Sequence, residues 1–291
     1  MGNRLLFWIS YDGSKFAEMA TGQTGYGVMD LLGIILRRTG IMGGESKLAP
    51  SSRTDSGVHA LRNTVICHMP DDRVIERDDT QLLLECNHFA DLANPGGLRF
   101  LSFHPVAPGF CGRRNVAYRN YSWILPPGLD VARAEECCRL FEGTHNMASF
   151  YKHPLRERRR EPQYPNTFKV IMKMWLSRGE AYSVENDLYD YYNVSIVSRS
   201  FLREQVNLFL LRIPFQIRRM MSCVVLCSYG ILPLSTIQWL LDNPFPHHFV
   251  DRKIPVAPPQ GLFLTDVVYD PRDFMDPHPS FHHPWDDEVY S

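Results

Sequence analysis

The hydrophobic and polar positions of this chain fall into short runs punctuated by turn-forming residues, and the runs switch between strand and helix character. Residues 5–11 are apolar and aromatic and stop at Asp12-Gly13-Ser14, which predicts a strand entering a turn. Met29, Leu32 and Ile35 recur at helical spacing, and Gly40 follows, so a helix is expected over about 27–38. Residues 64–69 read as another strand, and the polar stretch 51–59 as a turn-rich loop before it. Further along, 121–125 is strand-like and ends at Pro126-Pro127. Residues 131–141 suit a helix with Asp130 as N-cap and Gly143 beyond its end. Strands are expected over 168–176, 191–197, 206–213 and 261–269. Pro214 suits a first helical turn, and Gly230 would close that helix. Ser235 with Gln238 forms a capping-box pattern ahead of Ile237, Leu240 and Leu241. The elements mix without the regular alternation of a doubly wound parallel sheet, so the class is α+β. No fixed-period repeat is present.

Composition narrows this picture. Of 291 residues, 44% are hydrophobic and 22% charged, as in an ordinary packed globular protein, and the length suits one large domain or two of common size. The net charge of −1 conceals an asymmetry. From Asp270 onward six carboxylates face Arg272 alone, a balance of −5, which leaves residues 1–269 at +4. That is compatible with an RNA partner without requiring one. The tail from Pro271 is rich in Pro, His and Asp and is expected to be poorly ordered. Seven cysteines, an odd number without Cys-x-x-Cys spacing or a signal peptide, fit a reduced intracellular compartment. The apolar stretch 220–234 is too short and too interrupted to span a bilayer, and Leu6 stands where a myristoylation signal wants Ser or Thr.

Several residues could carry chemistry. Asp55, in a loop between an Arg and a Gly, can be a nucleophile, an acid or base, a metal ligand, or a turn-capping group. Tyr121, an aromatic in a strand, reads first as core packing and second as a base-stacking ring, and Arg218 and Arg219 read equally as helix-surface cations or site residues. Lys152, Arg156, Arg158, Arg159 and Arg160 form a basic run that suits phosphates or a solvated loop. His278, His282 and His283, with His247 and His248 upstream, lack metal-ligand spacing, so no metal site is expected. Cys223 and Cys227 lie one helical turn apart and read as core. There is no Walker loop and no Gly-x-Gly-x-x-Gly.

The run Arg53-Thr54-Asp55-Ser56-Gly57-Val58-His59 resembles the Arg-Thr-Asp-x-Gly-Val-His signature of the tRNA pseudouridine synthase A family. Other pieces follow in the family's order: Tyr11-Asp12-Gly13-Ser14-x-Phe16, Arg119-Asn120-Tyr121, Gly143-Thr144-His145, Gln216-Ile217-Arg218-Arg219-Met220, and the closing segment 257–264. The likeness spans residues 5–269 and is nearest the short animal branch labelled synthase-like.

This resemblance implies two α+β halves with antiparallel-rich sheets around a central cleft. They are expected at 1–106, carrying the Arg-Thr-Asp loop, and at 107–269, followed by the tail 270–291. It implies conversion of uridine to pseudouridine in tRNA, in the anticodon arm, by a homodimer. No cofactor is expected, because the base is retained and the net reaction is an isomerisation. Asp55 would be the nucleophile, as glycosidase carboxylates are at an anomeric carbon. Tyr121 would stack on the base, and Arg218 would hold the carboxylate ionised through a planar fork. Arg53, His59, Arg113, Arg119 and Arg219 would contact substrate. The compartment would be cytoplasm or mitochondrion. Departures occur at Cys111-Gly112-Arg113, at Ala17-Glu18-Met19 and at Arg212-Ile213-Pro214-Phe215. They leave room for an alternative, a catalytically weakened or inactive RNA-binding protein on the same fold.

Overall fold

The computed structural model describes residues 4–19, 25–69, 79–151, 167–179, 192–199 and 215–277. Its contacts divide the chain into two compact units, Met1–Arg119 with Leu264–Ser291, and Asn120–Phe263.

The first unit is built on β1 (Arg4–Tyr11). From Leu5 to Ile9 every residue of β1 is buried, so both faces are covered and the sequence reads as an unbroken apolar run. The strand pairs antiparallel with β3 (His59–His68) on one side and β4 (Leu98–Pro105) on the other, and β2 (Lys47–Pro50) pairs antiparallel with β3. Two helices, α1 (Val28–Arg38) and α2 (Asp79–Ala93), pack together, and α2 also packs on β4. Rings interlock on both faces of β1. Phe7 meets Phe100 edge-on and lies tilted against Phe103, while Trp8 meets Tyr269 and Phe274 edge-on.

Phe274 belongs to a 3-10 turn, Pro271–Phe274, capped by the Asp270 side chain. Its carbonyl accepts from the Ala107 N–H at 2.7 Å, and its ring lies against Phe110. Residues 270–277 are therefore packed, where the composition suggested a loose tail; 278–291, with their three histidines, lie outside the described residues. The expected division at 106/107 differs as well. Residues 107–119 stay with the first unit, and the chain rejoins that unit at Leu264. No single cut along the sequence can express such a return.

In the second unit the chain enters along β5 (Val116–Ile124) and leaves along β9 (Leu262–Tyr269), each of which begins in one unit and ends in the other. Here β6 (Gly143–Asn146), β7 (Phe168–Arg178) and β8 (Tyr192–Ser198) form antiparallel pairs, β6 with β7 and β7 with β8. The helices are α3 (Val131–Phe141), α4 (Phe215–Ser228), α5 (Leu234–Asp242) and α6 (His248–Asp251). Asp130 caps α3 by accepting from the Arg133 N–H, as its position in the sequence suggests. Gly230 follows α4 at φ +69°, the left-handed conformation that ends a helix most easily at glycine. The Ser235–Gln238 capping box does not form. Pro233 is the N-cap, which puts Ser235 inside the helix, and Gln238 donates instead to Asp242. The expected strand 206–213, Pro214 and the basic run 152–160 lie outside the described residues.

The class is α+β with mostly antiparallel pairing. Among the described residues, no helix is long and apolar enough to cross a membrane.

Candidate active site

The Arg-Thr-Asp loop joins β2 to β3, and the sequence dictates its shape at two points. The Val58 N–H donates to the Asp55 carbonyl at 3.1 Å, closing a turn in which Gly57 has φ +78°. A side chain at that φ is strained, so glycine is required where it stands. Upstream, the Ser51 N–H donates to the Thr64 carbonyl, so the loop leaves and re-enters the sheet at fixed points. Within it Ser51, Ser52, Thr54, Asp55 and Val58 are buried, while Arg53 and Ser56 face solvent. Asp55 is only 6% exposed, an unusual setting for a carboxylate in a loop.

A second piece of the motif pattern, Tyr11-Asp12-Gly13, is built against this loop. The Tyr11 hydroxyl shares a hydrogen bond with Thr54 Oγ1 at 2.7 Å. His59 Nδ1 lies 3.1 Å from Asp12 Oδ1, which also accepts from the Ser14 N–H and hydroxyl. The Ser14 hydroxyl is the main influence holding the Asp12 carboxyl below its usual range, and His59 adds to it. Beside this pair lies a cavity of about 280 Å³ lined by Tyr11, His59, Asp91 and Arg99 among others; Asp55 is not part of its wall.

Gly13 sits directly on the Val58 backbone. A Cβ there would lie 2.1 Å from the Val58 carbonyl oxygen. Because the obstacle is backbone, it cannot turn aside as a flexible side chain would. Gly13→Ala is expected to cost about 3 kcal/mol by overpacking, measured as a fall in the midpoint of chemical unfolding. An unchanged midpoint would show that the two pieces are not in contact.

Two guanidiniums stand near the loop. Arg53 is pushed below the usual arginine range first by partial burial and then by the like charge of Arg113. Two cations held close enough to repel suit a polyanion. Arg119, expected at substrate, is engaged with backbone carbonyls. It is buried, and its Nη2 donates to the carbonyls of Ser51 at 2.9 Å and Arg113 at 3.4 Å. It ties the Asp55 loop to the Arg113 loop.

The departure at Cys111-Gly112 also has a structural reading. The buried Tyr269 hydroxyl, its pKa raised to about 12 by burial, donates to the Gly112 carbonyl at 2.6 Å and shares a hydrogen bond with Thr64 Oγ1. A Cβ on Gly112 would press on Ile66 at 3.1 Å. Cys111 accepts through its carbonyl from the Arg114 and Asn115 N–H groups, closing the turn that carries Arg113.

In the second unit Tyr121 is buried in β5. The described side chains of α4 are buried nearly all round, and Arg218, Val225 and Leu226 are the part-exposed exceptions among them. Arg218 is anchored by donation from Nε to the Ala257 carbonyl at 2.7 Å. Arg219, also expected at substrate, turns inward instead. It is 4% exposed, donates from Nη1 to the carbonyls of Ser149 and Tyr151, and lies over the Phe249 ring. Cys137, Cys223 and Cys227 are buried between α3 and α4, as core. His248 is engaged with the Asn243 carbonyl, and among the described residues no group of three or more His, Cys, Asp or Glu could hold a metal ion.

Sequence reading missed Asn63, Tyr269 and Ser51, whose roles come from tertiary contacts. A polar Asn inside a run of strand residues was the one available signal for the first.

No family model matches the chain. Individual relatives do. It is 27% identical over 301 residues to tRNA pseudouridine synthase-like 1 of Xenopus laevis, covering 92% of this chain and 91% of that protein. It is 30% identical over 278 residues to tRNA pseudouridine synthase A of Pyrococcus furiosus, covering 94% and 86% of the two chains. Against the protein of the same name from Pyrococcus horikoshii the identity is 30% over 263 residues, covering 90% and 83%. Similarity of this extent, running through both units, shows that the chain belongs to the tRNA pseudouridine synthase A family and has the pseudouridine synthase fold.

Proposed function

We propose that this protein is an isomerase that converts uridine to pseudouridine in tRNA, in the anticodon arm, with Asp55 as nucleophile. The observation that carries the reading is a carboxylate buried in a loop that Gly57, Val58, Tyr11 and Gly13 shape and support. A buried ionised group costs stability, and such a cost is characteristic of sites arranged for chemistry.

The chemistry balances without a cofactor. The bond from C1′ to N1 of uracil breaks, the base turns, and a bond from C1′ to C5 forms. C5 loses a proton and N1 gains one. A carboxylate that attacks covalently holds the fragments together between the two bonds. Tyr121 and Arg218 are the further catalytic residues the family motifs mark. Arg53, His59 and Arg113, all on the first unit, are the substrate contacts. Arg119 holds the Ser51 and Arg113 carbonyls within the first unit, and Arg219 those of Ser149 and Tyr151 within the second. The active form is a homodimer.

The test is incubation of the purified protein with unmodified tRNA transcripts in buffer alone, followed by pseudouridine mapping at single-nucleotide resolution. Conversion of anticodon-arm uridines is the expected result. Retained tRNA binding without pseudouridine at any position would instead make this an RNA-binding member of the family that has lost the reaction.

A further inference from the structure

We infer that Tyr11 is a positioning residue for the reaction, its hydroxyl holding Thr54 and through it Asp55. The inference rests on the reading of Asp55 as nucleophile.

The argument begins at Asn63, which is 0% exposed in the middle of β3. Its Oδ1 accepts from the Thr64 N–H at 2.8 Å. A backbone N–H can only donate, so the orientation of the amide is fixed and Nδ2 must face the other way. There Nδ2 donates to the Ser52 carbonyl at 2.8 Å and to the Tyr11 hydroxyl at 3.3 Å. A phenol that accepts from Asn63 has its own proton to give, and Thr54 Oγ1 lies 2.7 Å away. The chain Asn63–Tyr11–Thr54 thus connects the sheet to the residue that precedes Asp55.

A second circuit closes around the loop's entry. Ser51 donates to Thr64, whose hydroxyl meets Tyr269. Tyr269 donates to Gly112, and Arg119 joins the neighbouring Arg113 carbonyl back to Ser51. This circuit fixes residue 51, and the Asn63 amide holds the Ser52 carbonyl. Between Ser52 and the Gly57 turn, the Tyr11 hydroxyl holds the Thr54 side chain at 2.7 Å. Thr54 and Tyr11 are both buried, so the hold is made without competition from water. Tyr11 itself is placed by β1, whose partners β3 and β4 flank it.

Tyr11→Phe removes one oxygen and leaves the ring in the core. The expected result is a single-turnover rate on tRNA lowered about 10- to 100-fold, the penalty for a nucleophile displaced by a fraction of an ångström to an ångström, with tRNA affinity unchanged. Thr54→Val should fall to the same level, and the double variant no further, because one interaction is lost in all three. Thr54→Ser restores the hydroxyl and should recover turnover relative to Thr54→Val. A merely structural hydroxyl predicts the opposite pattern: losses that add, affinity that falls with rate, and no recovery with serine. If Tyr11→Phe does not fold, the Thr54 pair carries the test alone. Asp55→Asn runs in parallel. An inactive Asp55→Asn beside a fully active Tyr11→Phe overturns the positioning role alone, whereas a fully active Asp55→Asn overturns the nucleophile and the positioning role with it.

Discussion

The Asp55→Asn variant is expected to bind tRNA and to form no pseudouridine. Asparagine has the size and planarity of aspartate, so the loop that Gly57 and Val58 shape should be kept. What disappears is the negative oxygen proposed to attack. An amide oxygen is a poor nucleophile, and the loss should be on the order of a thousandfold or more in single-turnover rate, as when a covalent step is removed rather than weakened. Binding should persist, because the phosphate contacts proposed for Arg53 and Arg113 do not involve the carboxylate, and the salt dependence should be that of the wild type. Rate and affinity measured on the same preparations separate the possibilities. A carboxylate that only caps a turn would be replaced by asparagine with little effect on either. Wild-type turnover would return Asp55 to that role.

How far the sequence reveals this site depends on whether a residue's requirement is local. Gly57 must adopt a positive φ whatever surrounds it, and Asp130 caps its helix through its own neighbours, so both are legible without a fold. Arg119 and Arg219 are not. Each sits in a motif beside a residue proposed for catalysis, and a guanidinium in such company reads as a substrate contact. What turns them inward is a set of backbone carbonyls far along the chain: Ser51 and Arg113 for the one, Ser149 and Tyr151 for the other. Helix α2 escaped notice for a different reason. Its buried stripe is narrow, Leu82, Cys86 and Ala90, while Leu84 and Leu92 are exposed and blur the period. In β4 the pairing with β1 slips between Trp8 and Ile9, which breaks the two-residue alternation that would mark a strand. The segment 270–277 misled by composition, since proline and aspartate serve a tight capped turn as well as a loose tail.

Neighbouring arginines on α4 offer the sharpest division between chemistry and folding. Arg219 is held by two hydrogen bonds from a charged donor to buried carbonyls, each worth about 1.5–3 kcal/mol, and by the face of Phe249. Lysine keeps the charge but has no planar group to reach both carbonyls and stack at once. Arg219→Lys should therefore lose about 3 kcal/mol of unfolding free energy. Below its unfolding transition it should still turn over, because its guanidinium faces the core of its own unit. Arg218 is part-exposed and donates from Nε to the Ala257 carbonyl, and loss of that bond in Arg218→Lys should cost about 1 kcal/mol of stability. Its turnover should fall on the order of a hundredfold if its planar fork serves the reaction, with tRNA affinity much less affected. Chemical unfolding and single-turnover kinetics on the two variants give a two-by-two outcome. Stability lost at 219 and rate lost at 218 is the expected diagonal. The reverse, a stable but inactive Arg219→Lys beside a fully active Arg218→Lys, would make Arg219 the catalytic guanidinium and require that it leave the Ser149 and Tyr151 carbonyls when tRNA binds.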